Sequence, residues 1–233
     1  MKWRLSQMKI VTIIPAFNEE KTVDSVVKGA LEHGDVILVD DGSTDRTGAI
    51  AESAGARVLR HRKNMGKGAA LKTGIKEALK WEYHLIVFMD ADGQHDTFLI
   101  PLFAEAADGA DFIIGSRFMG DSCDSMPIQR KLSNRITTWI LRFATGYRIT
   151  DSQSGFRAIK AEHAKIMLDI PYNDYVYESE TICEISRHRL RIAEVPITCN
   201  YGDEKSYIQL GDVFRYILFI MRLFTRKLSL KPV

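Results

Sequence analysis

Leu85-Ile86-Val87-Phe88-Met89-Asp90-Ala91-Asp92-Gly93-Gln94-His95 sets an unbroken apolar run directly before two carboxylates one residue apart. Apolar residues without polar alternation suit a strand covered on both faces, as in a parallel sheet packed between helices. Asp90 and Asp92 then stand at its carboxyl end, on one face for as long as the chain stays extended. Two hard oxygen donors there suit Mg²⁺ or Mn²⁺, which take few protein carboxylates and keep positions open for phosphate oxygens. A solvated Asp-Gly turn is the plain structural alternative.

The same grammar repeats outward from this stretch. Short apolar runs at residues 10–14, 36–40, 56–60, 85–89 and 112–115 predict strands, and amphipathic stretches at 19–32, 45–54, 67–80 and 97–107 predict helices between them. Alternation of this kind predicts an α/β fold with a mostly parallel sheet. Thr44 or Asp45 can cap the second helix, and Gly66 and Gly68 open the third with a backbone-exposed turn. Ligands of open α/β sheets collect beyond the carboxyl ends of the strands. Polar segments fall there three times: Pro15 to Glu20, Asp40 to Asp45, and the Asp90 segment.

The chain has 233 residues, enough for one large domain with a full core. Hydrophobic residues make up 45% and charged residues 27%, an ordinary soluble balance. A formal charge of +2 excludes a generally nucleic-acid-binding surface and leaves room for local basic patches. Cys123, Cys183 and Cys199 are odd in number and widely spaced, which suits reduced thiols in a cytosolic protein. The first nine residues do not resemble a signal peptide, and the apolar stretch at 216–221 falls far short of the roughly 20 residues that span a bilayer.

After about residue 120 the rhythm changes. Residues 128–145 predict a helix with Leu132, Ile136, Ile140 and Phe143 on an apolar face and Lys131, Arg135 and Arg142 along another stripe. Further strands are predicted at 156–159 and 192–197, with a helix at 179–189. There is no internal repeat or linker, so residues 1–211 are expected to form one domain. Residues 213–231 contain no acid; Arg215, Arg222 and Arg226 share a narrow stripe, and Phe214, Ile217, Leu218, Met221 and Leu228 supply apolar surface. The segment 212–233 is therefore expected to be a basic amphipathic helix held at a membrane interface on the cytoplasmic side. Packing against the domain, or a homodimer contact, is its alternative use.

An acidic crevice accepts phosphates only where a metal or fixed cations reverse its sign. Asp90 and Asp92, helped by Gln94, can hold a divalent ion, while Lys67 and Arg117 can reach anions. Such a site suits a nucleoside diphosphate bearing a sugar.

Six segments in order carry a specific resemblance. They are Pro15-Ala16-Phe17-Asn18-Glu19-Glu20, Val39-Asp40-Asp41-Gly42-Ser43-Thr44-Asp45, Asn64-Met65-Gly66-Lys67-Gly68, Asp90-Ala91-Asp92-Gly93-Gln94-His95, Gly115-Ser116-Arg117 and Asp151-Ser152-Gln153-Ser154-Gly155-Phe156-Arg157. Together they resemble the motifs of family 2 inverting glycosyltransferases, and especially the dolichyl-phosphate mannose and glucose synthases. The resemblance implies a GT-A fold, with a Rossmann-like central sheet. It implies that Pro15, Ala16, Asn18 and Glu19 line the base and ribose pocket with Asp41 close by and Asp40 in support. It makes Asp90, Asp92 and Gln94 the metal ligands, and places Gly66, Lys67, Ala91 and a loop bearing Lys205 around the donor. The donor so implied is GDP-mannose or UDP-glucose.

The acceptor implied is a dolichyl or polyprenyl phosphate, with Arg117, Arg130, Lys131 and Ser133 around its phosphate. A lipid monophosphate has a second pKa near 6, so it is already anionic at neutral pH and needs orientation more than a general base. A sugar hydroxyl, the alternative acceptor, would need a positioned carboxylate; Glu178 and Glu180 are candidates for that role, for sugar-hydroxyl recognition or for helix capping. A phosphatase with an aspartyl nucleophile, a nucleotidyltransferase and a non-catalytic nucleotide-sugar-binding regulator are the rival readings.

Overall fold

The computed structural model describes residues 8–119, 126–198, 218–221 and 223. Its sheet has seven strands: β1 (Ile10–Ala16), β2 (Asp35–Asp40), β3 (Arg57–Arg60), β4 (Leu85–Phe88), β5 (Phe112–Ser116), β6 (Arg157–Lys160) and β7 (Ile192–Pro196). Their spatial order is β3-β2-β1-β4-β6-β5-β7. All pairs are parallel except those of β6, which runs against both β4 and β5. The helices are α1 (Val23–Leu31), α2 (Thr47–Ser53), α3 (Lys67–Ala78), α4 (Ile100–Ala106), α5 (Ile128–Thr145) and α6 (Val176–Arg187). Tight 3₁₀ turns cover Thr97–Leu99 and Ala161–Asp169.

Two apolar layers sandwich the sheet because its strands alternate between them. Ile10, Ile14 and Val87 face α1 and α4 in one layer with Val27 and Phe103, while Val11, Ile13 and Phe88 face α3 and α6 in the other with Ile75 and Ile182. Phe219 and Leu223, the buried members of the described C-terminal residues, belong to the second layer. The rest of the expected C-terminal helix lies outside the described residues.

The elements predicted between residues 8 and 198 are present, with shifted ends. Helix α1 begins at Val23 and not at residue 19, because residues 18–20 are held in loop contacts with residues 43–47. Helix α6 starts three residues before the predicted 179 and ends at Arg187. Neither Thr44 nor Asp45 is the residue before α2; Arg46 is, although the Asp45 carboxylate still accepts the Thr47 N–H at 2.9 Å.

Helix α5 has the predicted limits, and an orientation the sequence did not disclose. Asn134, Thr137, Thr138 and Leu141 are buried, whereas Leu132, Ile136, Trp139 and Phe143 are exposed. Its apolar stripe therefore faces away from the domain. Three of these four inward residues are polar because they dock on a polar loop, while Leu141 joins the second apolar layer: the Asn134 amide donates to Asp151 at 2.7 Å, and the Thr138 hydroxyl pairs with Ser152 at 2.9 Å.

Candidate active site

Strands β1, β2 and β4 end at one rim of the sheet, and their loops are fastened to one another there. Asn18 holds a φ of 59°, in the left-handed region a short polar side chain tolerates, and its Oδ1 accepts the Thr44 N–H at 2.9 Å. The Asn18 N–H donates to Ser43 Oγ at 3.0 Å, and the Glu19 N–H to Thr47 Oγ1 at 2.7 Å. Asn18 thus bridges two loops and caps no helix. Pro15 and Ala16 pair in register with Val39 and Asp40 beneath that bridge.

Asp40 and Asp41 turn to opposite sides, as neighbours on an extended strand must. Asp40 accepts the Ser43 N–H at 2.9 Å. Asp41 is buried and accepts three hydrogen bonds, from His61 Nδ1 at 2.6 Å, the Met65 N–H at 2.9 Å and the Gly66 N–H at 2.8 Å. The other His61 nitrogen lies 2.9 Å from the Thr73 hydroxyl on α3. Asp41 is therefore a strut under the turn that opens α3. Gly66 in that turn has φ 95°, and a Cβ there would collide with the Asn173 carbonyl, which accepts the Gly68 N–H at 2.9 Å.

The turn delivers Lys67 to the centre of the rim. Its ammonium lies 2.6 Å from Asp90 Oδ1 and 2.8 Å from Glu178 Oε1, joining β4 to the first turn of α6. Burial alone would lower the Lys67 pKa; Asp90 and Glu178 outweigh it and hold the ammonium above its ordinary value. Burial would likewise raise Asp90, but Lys67 and then His95 keep its carboxyl below the usual carboxylate range. His95 Nε2 stands 3.9 Å from Asp90 Oδ2, and its ring tilts against Phe156. A Cβ on Gly155 would strike the Asp90 carboxylate, so a bare backbone there lets the 151–156 loop close over the pair.

Arg157, which sequence reasoning passed over, fixes that loop. Its buried guanidinium donates to the carbonyls of Ser154 at 2.7 Å, Ser152 at 2.8 Å and Glu178 at 2.7 Å. Beside it Arg117 grips Asp151 through Nε at 2.7 Å and Nη2 at 2.9 Å. Burial would raise the pKa of Asp151, and the hydrogen bonds and charge of Arg117 pull it below the usual range instead. Asp151 also accepts from Asn134, which lies one turn after Arg130 on α5. Lys131 and Ser133 fall on opposite sides of that helix, about 160° apart as seen along its axis. Lys205 lies outside the described residues.

The donor set fits a hard divalent cation that keeps open positions. Asp92 stands half-buried in a tight turn, where its Oδ1 accepts the Gln94 N–H at 3.0 Å and Gly93 takes φ 76°. Among the described residues no three or more His, Cys, Asp or Glu side chains gather as a closed metal cage. Asp90, Asp92 and the Gln94 amide are oxygen donors of the kind that Mg²⁺ or Mn²⁺ completes with water and phosphate.

A model of the family described as Glycosyl transferase family 2 matches residues 11–166. The UDP-N-acetylglucosamine–dolichyl-phosphate N-acetylglucosaminyltransferase of Methanococcus voltae is 32% identical, with 83% of this chain and 86% of that one covered. The undecaprenyl-phosphate mannosyltransferase of Micrococcus luteus is 34% identical, covering 82% and 83%. Among solved structures, glucosyl-3-phosphoglycerate synthase from Mycobacterium tuberculosis, in complex with Mn²⁺, UDP and glucosyl-3-phosphoglycerate, aligns with a TM-score of 0.72 at 21% identity, over 94% of this chain and 83% of that one. That likeness is one of fold.

Proposed function

This chain belongs to glycosyl transferase family 2, and from that premise we propose that it is a metal-dependent inverting hexosyltransferase acting on a polyprenyl or dolichyl phosphate. The donor is GDP-mannose or UDP-glucose. The observation that carries the reading is the meeting, at one rim, of the Lys67–Asp90–Glu178 cluster and the Arg117–Asp151 pair, in a chain whose relatives are named as sugar transferases to lipid phosphates.

The fastened loops of residues 15–20 and 40–45 form the nucleoside side of the crevice. Asp90, Asp92 and Gln94 would hold the cation, which supplies charge stabilisation to a departing diphosphate, an effect worth several kcal/mol. Lys67 keeps Asp90 and Glu178 at a fixed separation, so the sugar-facing wall is preorganised before the donor enters. The acceptor phosphate is its own nucleophile at neutral pH. Arg117, oriented by Asp151, and Arg130 with Ser133 at the start of α5 bind and aim it, while Lys131, on the other side of that helix, stands apart from the group. No carboxylate base is required, which leaves Glu178 to its ion pair.

The test is an assay of the purified protein with GDP-mannose, UDP-glucose and UDP-N-acetylglucosamine against a short polyprenyl phosphate, with Mn²⁺ and with chelator. Transfer of mannose or glucose that stops on chelation and in Asp92→Ala is the expected result. Transfer only to sugar hydroxyls, or undiminished turnover after chelation, overturns the proposal.

A further inference from the structure

Glu194 on β7 turns its carboxylate to the loop that precedes β6. Its Oε1 accepts the Thr150 N–H at 2.7 Å and the Asp151 N–H at 3.1 Å, while its Oε2 lies 2.9 Å from the same Thr150 nitrogen and 3.0 Å from the Thr150 hydroxyl. The Thr150 hydroxyl pairs in turn with Ser116 Oγ at 2.6 Å, and that oxygen accepts the Phe118 N–H at 3.2 Å. Residues 150 and 151 are thereby tied on one side to β7 and on the other to the two neighbours of Arg117. The parallel pairing of Ile114 with Glu194 brings the carboxylate within reach of both. Burial pushes the Glu194 carboxyl up and the charge of Asp151 adds to that, while the hydrogen bonds from residues 150 and 151 pull the other way. Two neighbouring carboxylates repel, so a turn held for its own sake is served as well by a neutral acceptor.

We propose that Glu194 is a positioning residue for Arg117, acting through Asp151. The Asp151 carboxylate accepts from Arg117 Nε and Nη2 and from the Asn134 amide, which fixes its side chain, but its backbone lies in the loop between α5 and β6. Glu194 fixes that backbone. With main chain and side chain both held, the carboxylate has one place to offer the guanidinium, and Arg117 meets the rim at one angle. By way of Thr150 and Ser116 the same group also holds the strand end from which Arg117 leaves. The base and the tip of the Arg117 side chain are thus both referred to β7. Such preorganisation matters where an anion has to be aimed, since a misplacement of about 1 Å can cost about a hundredfold in rate. The consequence for turnover rests on the reading of Arg117 as a ligand of the acceptor phosphate; the positioning itself does not.

The experiment uses the full chain and two readouts. One is the hydrogen-exchange rate of the Arg117 Nε–H by NMR, its signal identified by its loss in Arg117→Lys; the other is the pair of KM values for a short polyprenyl phosphate and for GDP-mannose or UDP-glucose. Glu194→Ala should speed the exchange about tenfold and raise the acceptor KM about tenfold, with the donor KM within about twofold of the parent. Glu194→Asp keeps the charge, withdraws it by one methylene and should move both readouts the same way; it decides the matter where the alanine variant does not fold. Glu194→Gln keeps an oxygen for the two backbone N–H groups and should hold both readouts within about threefold of the parent. A mere brace would lower the thermal midpoint and raise both KM values together, and that result overturns the proposal. So would Arg117 exchange as slow in Glu194→Ala and Glu194→Asp as in the parent. Faster Arg117 exchange in those variants, with an acceptor KM that neither they nor Arg117→Lys alter, would instead sink the acceptor reading and leave the positioning of Arg117 standing.

Discussion

The half of the molecule built by β1 to β4 and the segment between β5 and β6 obey opposite packing rules. Helices α1 and α3 turn apolar residues such as Val27 and Ile75 to the sheet, while α5 turns Asn134, Thr137 and Thr138 inward beside Leu141 and leaves Leu132, Ile136, Trp139 and Phe143 outward. The first region is held by area removed from water, and the second by a small set of directional bonds around Asp151. What differs is the vulnerability: the first loses stability methylene by methylene, and the second depends on a few atoms.

Removing the carboxylate at the hub should have the largest effect. Asp151→Ala breaks a buried ion pair and removes the carboxylate that Arg117 and Asn134 both grip, and should destabilise the protein by about 3–5 kcal/mol in urea unfolding. An ordinary core truncation, Ile75→Ala beneath the sheet, should cost about 3 kcal/mol. Acid separates the two regions further. Asp151 has a folded pKa below its unfolded value near 3.9, so its contribution is fully present above that value and is lost as pH falls through the folded one. Hydrogen exchange followed from pH 7 downward should therefore show α5 amides opening before those of α3, and Asp151→Asn should remove the pH dependence of that difference. Simultaneous opening of α3 and α5 would break the comparison.

Smaller effects sharpen it. Lys67→Met leaves Asp90 and Glu178 facing each other and should lower stability by about 2 kcal/mol, measured as a shift in denaturation midpoint. Leu132→Glu should change stability by no more than about 0.5 kcal/mol, as expected for a surface position. A loss as large as that of Ile75→Ala would mean that the outward face is covered after all.

The first region was largely legible in the sequence, because a strand covered on both faces announces itself by an unbroken apolar run. The carboxyl-end loops followed from that reading, and Asp90, Asp92, Lys67 and Arg117 do meet one rim. Three things were not legible. Periodicity identified α5 but not the direction its stripe faces, since a helix docked by hydrogen bonds has the same 3.6-residue pattern as one docked by apolar contact. The antiparallel course of β6 has no local signal in four residues. Lys67 and Arg117 read as cations reaching for anions, yet each is gripped by carboxylates distant in sequence, Glu178 and Asp151, and only the closed fold brings those together. His61 and Arg157 were missed for the same reason, their partners being a strand-end carboxylate and three backbone carbonyls.

The reversed strand has an architectural consequence. Because β6 pairs with β5 in antiparallel register, Ile114 opposite Arg157, the chain departs from the sheet and rejoins it at adjacent points about 5 Å apart. Residues 117–156 are thus an excursion with neighbouring endpoints, and a chimera that exchanges it for the equivalent stretch of a relative need not rethread any strand. If that stretch holds the acceptor as proposed, such a graft would trade one recipient specificity for another while strands β1 to β4 keep their places.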